Sequence, residues 1–263
     1  MSIDNIPIWL LFLVTIIFVM ISMEIGHRLG HVRRRRSEDE KETPVGAIAG
    51  AILGLSAFML AFAFGITSNR YDTRNELVRD EAVAIRTAWN RADFLPDKDR
   101  TEAKTLLRDY VNDRLAFSQT YSAEADKTQR FLADARRIQE RLWEMAVANA
   151  RLDMNSDVAA LYIDSLNQMN ATHARRVALV MTRIPLQIRI ALLLITALGM
   201  TAVGYQTGIA GSKRSMAGPI LAVSFAIVAM LIASLDRPET GVITVTQQPL
   251  IDLQAMMANY TPS

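Results

Sequence analysis

The chain has 263 residues, a net charge of +2 and a mean hydropathy of +0.15. It contains no cysteine, which excludes disulfides, thiolate nucleophiles and zinc–thiolate sites. The near-neutral charge, with no basic stripe interleaved with aromatics, leaves no footprint for nucleic acid.

Hydrophobic residues make up 51% of the chain. They gather in four long runs with the charge between them, the pattern of a membrane protein. The first run, Ile6 to Met23, gives about 27 Å of helix, enough to cross a bilayer core. It starts beside Asp4 and ends in bulky residues, unlike a cleaved signal peptide, so it is expected to be retained. Trp9 fits an interfacial anchor. The connector Glu24 to Thr43 carries Arg28, Arg33 to Arg36 and Lys41, the strongest topology signal in the chain, largely offset in charge by Glu38, Asp39, Glu40 and Glu42. It reads either as a stop-transfer and topology determinant or as a grip on anionic lipid. Glu24, His27 and His31 share a helix face there, but nothing supplies further ligands and no metal site is expected.

Val45 to Thr67 is the second span. Gly46, Gly50 and Gly54 recur every fourth residue and make a smooth stripe. Either another helix packs on it, or it lines a pore that Phe58 and Phe62 narrow. No turn signal follows, so this helix is expected to run on through Ser68 to Arg86 and reach about Phe94.

Residues 68–183 contain no glycine and one proline, Pro96, a helical composition. Leu95-Pro96-Asp97 marks a turn, with Asp97 capping a helix through Leu107, Tyr110, Val111 and Leu115. A third helix is expected from near Ser122, carrying Ile138, Leu142 and Met145. Asp153 to Ser156 forms the next break, with Ser156 capping a helix that ends at Pro185. Four helices with short turns predict an antiparallel bundle.

Ile190 to Gln206 is the third span, with Arg189 snorkelling at its edge. A connector with Lys213 and Arg214 leads to the fourth, Ala217 to Leu235. Asp236-Arg237-Pro238-Glu239 leaves the membrane, and a β-prone Val242 to Val245 precedes a polar tail. The expected division is 1–67, two spans with a basic connector; 68–183, the soluble bundle; 184–235, spans three and four; and 236–263, the tail. This is an all-α, four-span helical membrane protein with a soluble helical bundle between spans two and three. Both short connectors are basic, which places them in the cytoplasm and the bundle and termini outside.

The stretch LSAFMLAFAFGITSNRYDTRNELVRDEAVAIRTAW at 55–89, with FLPDKDR, LLRDYVNDRLAF and LIASLDRPETGVITVTQQPL at 231–250, resembles the bestrophin-like family of bacterial and plant membrane proteins. That domain is of unknown function and distantly similar to the bestrophin channels. The resemblance implies residence in a bacterial inner membrane and a homo-oligomer, a pentamer in true bestrophins. It implies that ions pass along a pore lined by the second helix. It also implies a cytosolic helical part, opposite to the arginine count.

Arg70, Asp72, Arg74, Glu76, Asp80 and Glu81 crowd the exit of the second span, and Asp236 and Arg237 end the fourth. They read either as a pore mouth that sorts ions by sign or as a structural collar of ion pairs. His173 stands alone and reads as a polar surface residue. No nucleophile elbow, phosphate loop or metal-ligand array occurs, so neither an enzyme nor a cofactor is expected. Two functions remain: an oligomeric ion channel or pore, and a non-conducting scaffold or sensor whose bundle binds another protein.

Overall fold

The computed structural model of the protein describes residues 7–36, 42–120, 125–180, 182–211, 216–237 and 243–260. Among the described residues there is no strand. The helices are α1 (Ile8–Arg36), α2 (Glu42–Arg91), α3 (Asp97–Thr120), α4 (Ala125–Ala150), α5 (Asp157–Val180), α6 (Leu186–Ile209), α7 (Ala217–Asp236) and α8 (Gln248–Ala258). Four of them, α1, α2, α6 and α7, are long and apolar enough to cross a membrane.

The 50-residue α2 is continuous from the apolar run into the charged one, as its lack of internal breakers predicts. It relaxes into a 3-10 turn at Ala92–Phe94 just before Pro96, where the residue preceding proline is pushed out of the helical region. Helix α1 runs well past its apolar stretch, into the arginines. Arginine is a good helix former, and the two glycines in this part each cost only about 1 kcal/mol.

The chain forms two compact units, each built from two separate stretches. The first is Met1–Tyr71 with Arg183–Ile243, and here α1 packs along α6 and α7. The approach of α1 to α6 is set by glycine. A Cβ on Gly26 would run into the backbone of Thr201 and Tyr205, one on Gly30 into Tyr205 and Gly208, one on Gly204 into Met23 and His27, and one on Gly208 into His27 and His31. Backbones this close gain dispersion contacts that larger residues forbid, the usual device where no hydrophobic effect drives helices together. Val19, Met200 and Ala222 fill the adjoining core.

The second unit is Asp72–Thr182 with Thr244–Ser263. Its core draws Ile85 and Trp89 from α2, Leu107 and Val111 from α3, Leu142 from α4 and Leu166 from α5, all buried. Helix α8, which the sequence does not announce, adds Leu250, Leu253 and Met257 at helical spacing. Ser156 caps α5 as expected, its Oγ accepting from Ala159 N at 3.2 Å. Asp97 instead opens α3 from inside, and its carboxylate pairs with Arg100.

Other expectations change. Residues 243–245 form no strand, and Val242 lies outside the described residues. So do Lys41, Ser122, Lys213, Arg214, Pro238 and Glu239. Arg189 does not snorkel alone: its Nη2 lies 3.6 Å from Asp236 Oδ2, and its Nε donates to Ile184 O at 3.0 Å. This ion pair meets the charge of the cation within the first unit.

Candidate functional site

The apolar part of α2 has one packed edge. Ala49, Ser56 and Ala63, seven residues apart, and Thr67 one turn further on are buried. Ser56 Oγ donates to Ile52 O at 2.9 Å and approaches Ile195 O of α6 at 3.2 Å, with Gly199 close against it. Thr67 Oγ1 likewise bonds back to Ala63 O at 3.1 Å.

The sequence-selected residues sit mostly on the other side. Gly46 meets the Gln206 side chain, but a Cβ on Gly50 or Gly54 would meet nothing within 4 Å. Phe58 is 67% exposed and Phe62 56%. Among the described residues, therefore, no helix of the chain packs on the glycine stripe at Gly50 and Gly54.

The charged residues divide into buried and exposed groups. Asp236, buried at the end of α7, accepts from Ile184 N at 3.2 Å. Arg70 Nη1 lies 3.8 Å from its Oδ1, while Arg183 Nη1 donates to its backbone carbonyl at 2.9 Å. With Arg189, three guanidinium groups thus surround one aspartate, and neighbouring Arg237 is buried too. In the second unit Arg74 is buried, and its Nη2 donates to Thr182 O at 3.3 Å. Asp72, Glu76 and Asp80 are exposed, as is Arg79. Thr73, Glu76, Asp80 and Arg175 border a shallow hollow of about 550 Å³.

Glu81 is different. It is fully buried, and α3 and α5 each send two side chains to it. Arg114 Nε of α3 lies 3.2 Å from Oε1, and Arg176 Nη1 of α5 bonds Oε2. The Tyr110 hydroxyl donates to Oε1 at 3.1 Å. Having given its only hydrogen to a carboxylate, the phenol oxygen accepts from His173 Nδ1 at 2.8 Å and Gln139 Nε2 at 3.5 Å. Arg176 Nη2 donates to Gln247 Oε1 at 2.7 Å, which ties the segment before α8 to the same group. Burial alone would raise the Glu81 pKa, but Arg114, His173 and Arg176 outweigh it and hold the carboxyl well below the usual carboxylate range. Burial, then the Glu81 charge, pushes the Tyr110 phenol well above its ordinary value.

His173 is accordingly not a surface residue; it belongs to this network and its side chain is nearly buried. Nothing in its sequence neighbourhood gives that away, since its partners come from α2 and α3. Glu81, the centre of the network, is fully buried and its carboxylate is met by Arg114, Arg176 and Tyr110, the make-up of a structural ion cluster. Among the described residues no cluster of acids and histidines can hold a metal ion.

A protein-family model described as Bestrophin-like domain matches residues 13–250. No curated protein sequence matches the chain. Among solved structures, a membrane protein crystallised as a point mutant is similar with a TM-score of 0.65 at 16% identity, covering 94% of this chain and 100% of its own. A mutant of a bacterial bestrophin homolog from Klebsiella pneumoniae gives a TM-score of 0.59 at 17% identity, with 91% and 99% covered. At such identity the likeness is one of fold.

Proposed function

The chain belongs to the Bestrophin-like family, and from that premise we propose that it is an oligomeric ion channel in which α2 lines the path. The observation that carries this reading is the uncovered face of α2. Gly50, Gly54, Phe58 and Phe62 are open in the protomer, and further along the same helix the exposed charges are Asp72, Glu76, Arg79, Asp80 and Arg86. Bare apolar surface is common to all four spans, where lipid covers it; what sets α2 apart is that its open face joins small residues and phenylalanines to a run of exposed charge. Copies arranged about an axis, five by analogy with true bestrophins, would enclose it.

In this reading Gly50 and Gly54 give width, Phe58 and Phe62 give the constriction, and Asp72, Glu76 and Asp80 form the mouth. Three acids against Arg79 and Arg86 leave one net negative charge per copy along this helix, which makes that mouth weakly cation-attracting. Arg70, Arg74, Glu81, Asp236 and Arg237 act as a scaffold, because their charges are buried or paired. Residues 1–67 and 184–235 supply four crossings of a bacterial inner membrane. Residues 68–183 form the soluble bundle on the extracytoplasmic side, and 236–263 return to it.

Planar-bilayer recording from the purified protein tests the reading. Sodium or potassium currents are expected, with Phe62→Ala raising conductance and Glu76→Gln lowering cation preference. Silence in all common salts from a verified oligomer would sink it. A second reading, a non-conducting scaffold, is favoured by Leu152 and Met154, each 81% exposed at the α4–α5 turn, a surface suited to another protein.

A further inference from the structure

We propose that the groove between α1, α6 and the start of α7 binds one anionic phospholipid, its acyl chain along the apolar wall and its phosphate at Arg28. The groove encloses about 930 Å³ and its lining lies wholly within the first unit. Ile17, Met20 and Ile21 of α1 and Leu221 of α7 make the apolar wall; Glu24, His27 and Arg28 of α1 and Thr207 of α6 make one polar end. From Ile16 to Arg28 the α1 axis rises about 18 Å. One leaflet's share of the hydrocarbon core is about 15 Å. The slot therefore has the length of a lipid tail and is polar where a headgroup would lie.

Helices α1, α6 and α7 are membrane-crossing candidates, so the medium beside this groove is lipid and an apolar chain is its natural filling. The polar end selects the headgroup. The Thr207 hydroxyl donates to Gly204 O at 2.7 Å, so its oxygen accepts from His27 Nδ1 at 3.3 Å. Arg28 engages Glu24 Oε1 through Nε at 2.8 Å. Its side chain is nevertheless 76% exposed, and the planar fork leaves its terminal N–H groups for a second, bidentate acceptor such as a phosphate. Arg33, Arg34 and Arg35 follow on the same helix, all exposed. Arg28 is the guanidinium in the groove lining, and within α1 one carboxylate stands against these four arginines, which favours a headgroup with net negative charge. This site is independent of whether the protein conducts.

The full chain, purified and exchanged into equal mixtures of phosphatidylglycerol and phosphatidylcholine, is examined by native mass spectrometry. Wild type is expected to retain phosphatidylglycerol in preference. Arg28→Gln should reduce that preference about fivefold, the size expected of one arginine beside an anionic headgroup. Arg35→Gln, on the same basic run but outside the groove, should change it much less. Ile17→Trp with Ile21→Trp, which fills the slot, should remove the retained lipid while leaving the helical content intact. Equal retention of the two lipids by wild type, equal effects of the two arginine variants, or a lipid count untouched by the tryptophans would each overturn the proposal. If the tryptophans shift the oligomer mass and leave the lipid count alone, the groove is an interface between copies instead.

Discussion

Glu81 shows how much one residue can carry. A buried carboxylate is tolerated only when its charge is met by well-placed partners, and removing it strands the cations around it. Here those cations are Arg114 and Arg176, buried themselves. Glu81→Gln should therefore destabilise the second unit by about 3–5 kcal/mol. The pH dependence has a definite sign. The folded pKa lies below the ordinary value of 4.5, so the contribution is complete above pH 4.5 and fades as pH falls beneath it towards the folded pKa. Melting followed through Trp89, which packs edge-on to Tyr260 in the same unit, reports this locally if Trp9 and Trp143 are replaced by phenylalanine. Wild type should lose stability on acidification below pH 4.5 more steeply than Glu81→Gln. Parallel pH curves would show that the carboxylate is not held as described.

At the scale of elements, the helices were legible because apolar runs of bilayer length and a glycine-free charged stretch leave few alternatives. The partners of those helices were not. Spacing of four drew attention to Gly46, Gly50 and Gly54, yet the same spacing at Gly26 and Gly30, and at Gly204 and Gly208, is where two backbones meet. A one-dimensional pattern marks a smooth face without saying what covers it. Helix α8 was missed because a short helix flanked by polar residues gives little periodic signal, and His173 because its partners are distant in sequence. The glycine contrast predicts opposite outcomes. Gly204→Leu pushes a side chain into the backbone of Met23 and His27, and should destabilise the detergent-solubilised protein by about 1–3 kcal/mol or more. Gly50→Ala meets open space and should change the melting midpoint little. A midpoint for Gly204→Leu equal to wild type would mean that α1 and α6 do not touch there.

For the whole molecule, the decisive fact is that both units are discontinuous. The chain leaves the first unit after Tyr71, returns to it at Arg183 and rejoins the second at Thr244. Because Leu250, Leu253 and Met257 of α8 are part of the second unit's core, the C-terminal segment and residues 72–182 must occupy the same compartment. Four crossings, an even number, then bring the N-terminus to that side as well. Single-cysteine labelling reads this directly, since the chain has no cysteine of its own. Leu152→Cys at the α4–α5 turn and Ile251→Cys on α8 replace exposed residues of the second unit, and Val32→Cys replaces one near the end of α1. With an impermeant maleimide on intact cells, Leu152→Cys and Ile251→Cys should react alike, and Val32→Cys only once the membrane is opened. Labelling of Leu152→Cys and Ile251→Cys from opposite faces would break the fold described here. If both instead react only after permeabilisation, and Val32→Cys from outside, the fold stands and the arginines of α1 lose their vote on orientation. The helical unit then lies in the cytosol, and the mouth proposed on α2 meets ions from that side.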